Sequence, residues 1–213
     1  KIIIVLAVCI MMAACSPDDM TLSETESHTK FISFKGISSC TISKARNPVV
    51  NVCIRNGSAA QIEKAENFSK RAILTWFRTM KMIDDKVVGN IQFSCNANPD
   101  LTINLRSGNG TSFAGCGQTT IYSGNPYGTT LHEFGHAVVG LSDTYSGRQA
   151  GACKSGQPQS AMCWGAYGKK DAEGYSMLYP DDVSGAQANY RNLFSDLNPP
   201  SVKIDPFAAN KYH

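Results

Sequence analysis

The chain has 213 residues, 42% of them hydrophobic and 17% charged, with a formal net charge of +3. That length suits one domain with room for two lobes, and the composition is too apolar for a disordered chain. So small a net charge gives no electrostatic reason to expect nucleic acid as a partner.

The first residues stand apart. Lys1 precedes an apolar run from Ile2 to Ala14, followed by Cys15-Ser16-Pro17. The run is shorter than the ~20 residues of a membrane-spanning helix. A basic start, a short apolar stretch and small residues before a break form an export signal. Met12-Ala13-Ala14-Cys15 resembles a bacterial lipobox, which implies cleavage before Cys15 and lipid on that cysteine. An ordinary signal peptide cut nearby is the alternative. Ser16 after the cysteine resembles lipoproteins sent to an outer membrane. The expectation is therefore a signal peptide over 1–14, a tether over 15–30 that is polar and aperiodic, and a folded domain over 31–213. The chain would sit at the outer membrane or cell surface through its Cys15 lipid, or otherwise be periplasmic or secreted.

From Pro48 to Asn56, Val50, Val52 and Ile54 alternate with other residues and read as a strand. Ser58 and Gln61 have capping-box spacing. The helix they open has Ile62, Ala65, Phe68, Ala72, Ile73, Trp76, Phe77 and Met80 at helical period, a face that would pack on a sheet. Glu63, Lys64, Lys70 and Arg71 read as its solvated face. Asn90 to Cys95, Leu101 to Leu105 and Gln118 to Tyr122 read as further strands, the last an edge strand able to pair with an extended peptide. Asn125-Pro126 fits a helix start, Asn as cap and Pro at the first helical position. That helix would run through Val139 and stop at Gly140. Gly, Ser, Gln and Pro then dominate 146–160, and a last helix, capped by an aspartate of Tyr179-Pro180-Asp181-Asp182, puts Ala186, Tyr190 and Leu193 on one face. The fold class is α+β, with an N-terminal subdomain to about 140 and a loop-rich C-terminal one over 141–213.

Eight cysteines are present. Cys9 and Cys15 belong to the leader, and the remaining six, without any Cys-x-x-Cys, read as disulfides in an exported chain. Six cysteines allow 15 pairings. Nearest neighbours give Cys40–Cys53, Cys95–Cys116 and Cys153–Cys163.

The chemistry concentrates in His132-Glu133-Phe134-Gly135-His136. On a helix, residues i and i+4 stand one above the other, so the two imidazoles can share one zinc ion. Glu133 projects beside the metal, as a general base for a metal-activated water must. A surface helix with two histidines is the plain alternative, but this helix is otherwise apolar and cannot bury them unpaired. Catalytic zinc takes three protein ligands. Asp143 is the first suitable side chain after the turn Gly140 permits; Glu173, from later in the chain, is the alternative ligand. Asp143 could otherwise only cap the helix or pair with Arg148.

These residues resemble metzincin zinc peptidases, which carry a glycine three residues past the second histidine and a third ligand three further on. Here Val139 holds the first of those places, and Gly140 and Asp143 each fall one residue late. Val is poorly suited to positive φ, so the helix is expected to continue one residue longer before turning. The longer spacing, ending in Asp143-Thr144-Tyr145, is similar to bacterial IgA-protease-type metallopeptidases, except that Thr144 stands where those have Glu. Gln159-Ser160-Ala161-Met162-Cys163 looks like the metzincin methionine turn, with Met177 as the competitor for Met162. Tyr179 to Gln187 is similar to the start of the last helix in matrixin-type members.

The resemblance implies a metzincin-like fold: a mixed sheet, a long backing helix, an active-site helix and one closing helix. It implies a monomeric zinc metalloendopeptidase with one Zn2+ ion and a protein or peptide substrate. Tyr145, Tyr167 and Tyr175 are candidates to support the oxyanion, and nothing in the sequence chooses among them. Cys40 as a latency switch on the zinc does not match the matrixin propeptide motif. A zinc-stabilised surface lipoprotein that binds a ligand or host protein without cutting is the rival from another class. A cell-wall hydrolase lacks the wall-binding repeats that would favour it.

Overall fold

The computed structural model describes residues 49–84, 86–87, 90–95, 98–115, 117–143, 160–163 and 170–194. The expected leader, Cys15, the tether, Cys40, Cys116, Tyr145, Cys153 and Tyr167 lie outside them. Among the described residues no helix is long and apolar enough to cross a membrane.

β1 (Val50–Arg55) is the strand that its alternation predicts, and it lies inside a five-stranded sheet. β2 (Ile91–Phe93) and β3 (Leu101–Arg106) pair with it in parallel on either side. β5 (Gln118–Tyr122) runs parallel to β3, and β4 (Phe113–Gly115) runs antiparallel to β5, giving the order β2-β1-β3-β5-β4. Gln118–Tyr122 is therefore not the edge it was expected to be. β4 covers its outer side, and with only three residues β4 is too short for alternation to reveal.

α1 (Ala59–Lys81) opens on the expected capping box: Ser58 N donates to Gln61 Oε1 at 2.9 Å, and Gln61 N donates to Ser58 Oγ at 3.4 Å. Its apolar face buries Ala72, Ile73, Trp76, Phe77 and Met80. Arg71, read as solvated, is buried instead. It is paired with Asp171 at 2.8 Å and Glu173 at 2.7 Å, with Tyr175 stacked 3.8 Å from its guanidinium. Two carboxylates and an aromatic face compensate the buried charge, which periodicity alone cannot foresee.

α1 packs on both later helices, α2 (Tyr127–Phe134) and α3 (Pro180–Leu193). The fully buried Trp76 sends its indole N–H to Leu131 O at 3.0 Å. On α3, Ala186 and Tyr190 are buried as expected, and Tyr190 Oη donates to Asp84 Oδ2 at 2.8 Å. The mixed sheet, backing helix, site helix and closing helix are the arrangement that the metzincin resemblance implies.

One disulfide joins Cys53 to Cys95, with Cα atoms 4.6 Å apart. It replaces both expected pairings, Cys40–Cys53 and Cys95–Cys116. Nearest-neighbour pairing misses the parallel crossover that sets β1 beside β2, so that residues 42 apart in sequence become adjacent in space. Cys163 is also disulfide-bonded; the expected partner, Cys153, lies outside the described residues.

Candidate metal centre

The helix bearing the histidines starts differently from its sequence signal. Pro126 takes the N-cap position, without a side-chain hydrogen bond. Asn125, expected as the cap, donates to Gly110 O at 2.9 Å and Ser112 Oγ at 3.0 Å, fastening the loop before β4.

α2 ends at Phe134, but the helix does not. Gly135–Val139 form a π-helical turn, and Gly140 then reverses the chain at φ 77°. The stop falls at the expected glycine, but the extra residue is absorbed by a wider turn rather than by another residue of α-helix. Gly140 N donates to His136 O at 3.1 Å and Leu141 N to Gly135 O at 3.0 Å. Each bond spans one residue more than its counterpart in a Schellman ending. The delay of Gly140 thus has a local structural form, and it leaves His132 and His136 on one face.

After that turn Asp143 comes back to the two rings. Its Oδ1 lies 3.1 Å from His132 Nε2 and 3.1 Å from His136 Nε2, and the two Nε2 atoms are 3.3 Å apart. Ligands about 2.0–2.1 Å from one tetrahedral ion stand roughly 3.3 Å from each other, so the triangle has the right size. The other ring nitrogens are engaged: His132 Nδ1 with Ala161 O at 2.8 Å, and His136 Nδ1 with Leu141 O at 2.7 Å. A carbonyl can only accept, so each Nδ1 carries the hydrogen. With each Nδ1–H so engaged, both Nε2 atoms face the Asp143 oxygen and are placed either to donate to it when protonated or to share a cation with it. Burial pushes the Asp143 carboxyl up, but hydrogen bonds and charge from the two histidines outweigh it and hold the group well below the usual carboxylate range. These residues fit a metal ion.

Glu133 is buried next to the ligands. Burial pushes its carboxyl up to about 7; the charge of His132 lowers it and that of Asp143 raises it.

Below the helix, Met162 is fully buried. A Cβ on Gly135 would collide with Met162 Sδ and come within 3.0 Å of its Cε and of Trp76 Cζ2. Met162 thus underlies the helix at Gly135, one residue before His136, whereas Met177 is only half-buried. The turn is held from α3. Asp182 accepts from Ala161 N at 2.8 Å, from Tyr179 N at 2.8 Å and from Ser160 Oγ. The expected aspartate cap is present in the Tyr179 bond, and the same carboxylate accepts from the amide of Ala161, the residue whose carbonyl orients His132. Sequence reading missed this second role, because the two partners come from separate segments.

Glu173, the alternative ligand, is committed to Arg71. Tyr175 packs edge-on against Tyr127, centroids 5.1 Å apart, and against Phe68 at 6.4 Å. That places its ring at the first turn of α2. Tyr145 and Tyr167 lie outside the described residues. The β4–β5 connection is joined to the π turn by Gly117 N donating to Ala137 O at 3.4 Å, so the edge strand runs beside the site helix.

The fold and site define an α+β protein with a candidate two-histidine, one-carboxylate metal centre. No protein-family model matches the chain, and no curated protein matches it. Among solved structures, the structure of myroilysin is similar at 14% identity, covering 67% of this chain and 92% of that one, with a TM-score of 0.41. A likeness at that level adds nothing to what the site's own geometry states.

Proposed function

We propose that the protein is an exported zinc metalloendopeptidase, with His132, His136 and Asp143 as ligands and Glu133 as general base. The observation that carries this is the triangle of three candidate ligand atoms, 3.1–3.3 Å apart, with a buried carboxylate beside it. Zinc is the ion best suited to a two-imidazole, one-carboxylate set, and when bound it acidifies water and polarises a carbonyl. Glu133 takes the proton of the attacking water and hands it to the leaving amine. Burial, which pushes its carboxyl up to about 7, favours its acting as both base and acid. The Ala161 and Leu141 carbonyls keep the rings in the tautomer that binds metal.

The substrate is a peptide, laid in extended form along β4, whose outer side ends the sheet next to the site helix. Phe113, 61% exposed on that strand, offers it an apolar surface. The protein acts outside the cytoplasm, anchored by lipid on Cys15, a reading supported by the apolar run that ends at Ala13-Ala14-Cys15.

The test uses zinc-loaded protein and a broad peptide library. Wild type is expected to cut and to stop with a chelator. Glu133→Ala is expected to keep zinc and lose cleavage by roughly 10²–10⁴-fold. Zinc-loaded wild type that cuts nothing would favour the rival, a zinc-stabilised surface protein that binds without cutting.

A further inference from the structure

We propose that Asn189, on the closing helix α3, is a positioning residue for the metal site. It holds the π turn at its last carbonyl and so fixes the arm that carries Leu141 and Asp143. The inference rests on the metal-site reading above and adds a residue that touches neither metal ligand nor substrate.

A helix end leaves its last carbonyls without partners from the helix itself. Here those carbonyls are met from several directions. Gly135 O and His136 O are taken by the amides of Leu141 and Gly140, and Ala137 O by Gly117 N. Val139 O is taken by Asn189 Nδ2 at 2.9 Å, across 50 residues of sequence. Asn189 is wholly buried, and its Oδ1 has no partner among the described residues. A buried amide with one end unpaired is costly for stability. Its evident contribution is therefore the bond it makes to Val139.

That bond sits at a sensitive place. Val139 is followed at once by Gly140, whose φ of 77° swings the chain back. The next residue, Leu141, supplies the carbonyl that orients His136, and Asp143 follows two residues later. A π turn is less regular than an α turn, so the direction in which Gly140 launches the arm needs an outside reference. α3 gives that reference twice. Asp182 holds the amide of Ala161, the residue whose carbonyl orients His132, and Asn189, seven residues or about two turns further along the same face, holds the turn that precedes the carbonyl orienting His136. A Cβ on Gly140 would lie 3.8 Å from Asn189 Nδ2, so the amide packs directly against the turning residue.

The deciding variant is Asn189→Leu in the full chain. It keeps the bulk, removes the donor and also removes the unpaired oxygen. Zn2+ affinity is measured against a chromophoric chelator, the electronic spectrum of the Co2+-substituted protein is recorded, and the melting temperature is taken without metal. The expected result is Zn2+ binding at least ~10-fold weaker, an altered cobalt spectrum, and metal-free stability equal to or above wild type. Unchanged Zn2+ affinity with a superimposable cobalt spectrum would overturn the inference. So would an affinity loss matched by an equal loss of metal-free stability, since Asn189 would then only support the fold. Should Asn189→Leu not fold, Asn189→Ala is read in the same way. Wild type that binds no Zn2+ would sink the metal-site reading itself; wild type that binds while the variant binds equally sinks only the role of Asn189.

Discussion

Met162 occupies the space that a side chain at Gly135 would need. The glycine in His-Glu-Phe-Gly-His is thus a packing requirement. It lets a thioether sit against the helix backbone beside His136. Gly135→Ala is expected to lower stability by about 1–3 kcal/mol, because a fully buried Met162 with Trp76 behind it has little room to shift. Chemical denaturation measures this. In the double variant with Met162→Ala the two effects should be clearly non-additive, since the second change makes the room that the first lacks. Strict additivity would mean that the two residues do not press on one another.

Asp143→Ala should remove the third side of the ligand triangle. Zn2+ affinity is expected to fall by more than the roughly 10–100-fold typical of losing an outer partner, while Glu173→Ala, whose carboxylate lies on Arg71, should leave it unchanged. Competitive titration with a chelator decides between them. The opposite ranking would move the third ligand away from Asp143.

Asp182 gives the protein a pH dependence with a definite sign. Burial pushes its carboxyl up from 3.8 to about 6, although bonds from Ala161, Ser160 and Tyr179 pull it down. Between about pH 4 and pH 6 the folded state therefore binds more protons here than the unfolded chain. Stability from this group is greatest below pH 4 and declines as pH rises through 6, by about 3 kcal/mol in all. Asp182→Asn removes the titration. In metal-free protein, the stability difference between wild type and variant should shift against wild type from pH 4 to pH 7. A difference that stays constant across that range would show that Asp182 does not titrate there.

The Cys53–Cys95 bridge closes a loop over 42 residues of sequence separation, worth about 4 kcal/mol by loop entropy. The double variant Cys53→Ser, Cys95→Ser should lose stability on that scale and keep the ligand triangle, whose residues all lie after β5. Denaturation and Zn2+ titration check both halves. Peptide mapping without reduction should find the two cysteines linked; a Cys95–Cys116 peptide would contradict the fold.

Much of the site could be read from local spacing. Two histidines four apart and a glutamate between them need only helical geometry to converge, and Gly140 needs only its freedom at positive φ to end the helix. β1, the long helix α1 with its Ser58–Gln61 box, and the closing helix follow from periods of two and 3.6 and from capping chemistry, all of which act over a few residues. The sequence alone therefore determined the ligand set as a candidate and the order of the longer elements.

Only the tertiary structure decided how those pieces meet. β4 as the true edge, Arg71 folded inward onto Asp171 and Glu173, the Cys53–Cys95 pairing, and the grip of Asp182 and Asn189 on the two ligand arms all join residues far apart in the chain. Even the extra residue before Gly140 was ambiguous locally, since a longer α-helix and a π turn have the same sequence. The wider turn is held in place by partners from elsewhere, Gly117 at Ala137 and Asn189 at Val139. Local propensity ranks backbone shapes that differ by little free energy, and long-range hydrogen bonds and packing select among them.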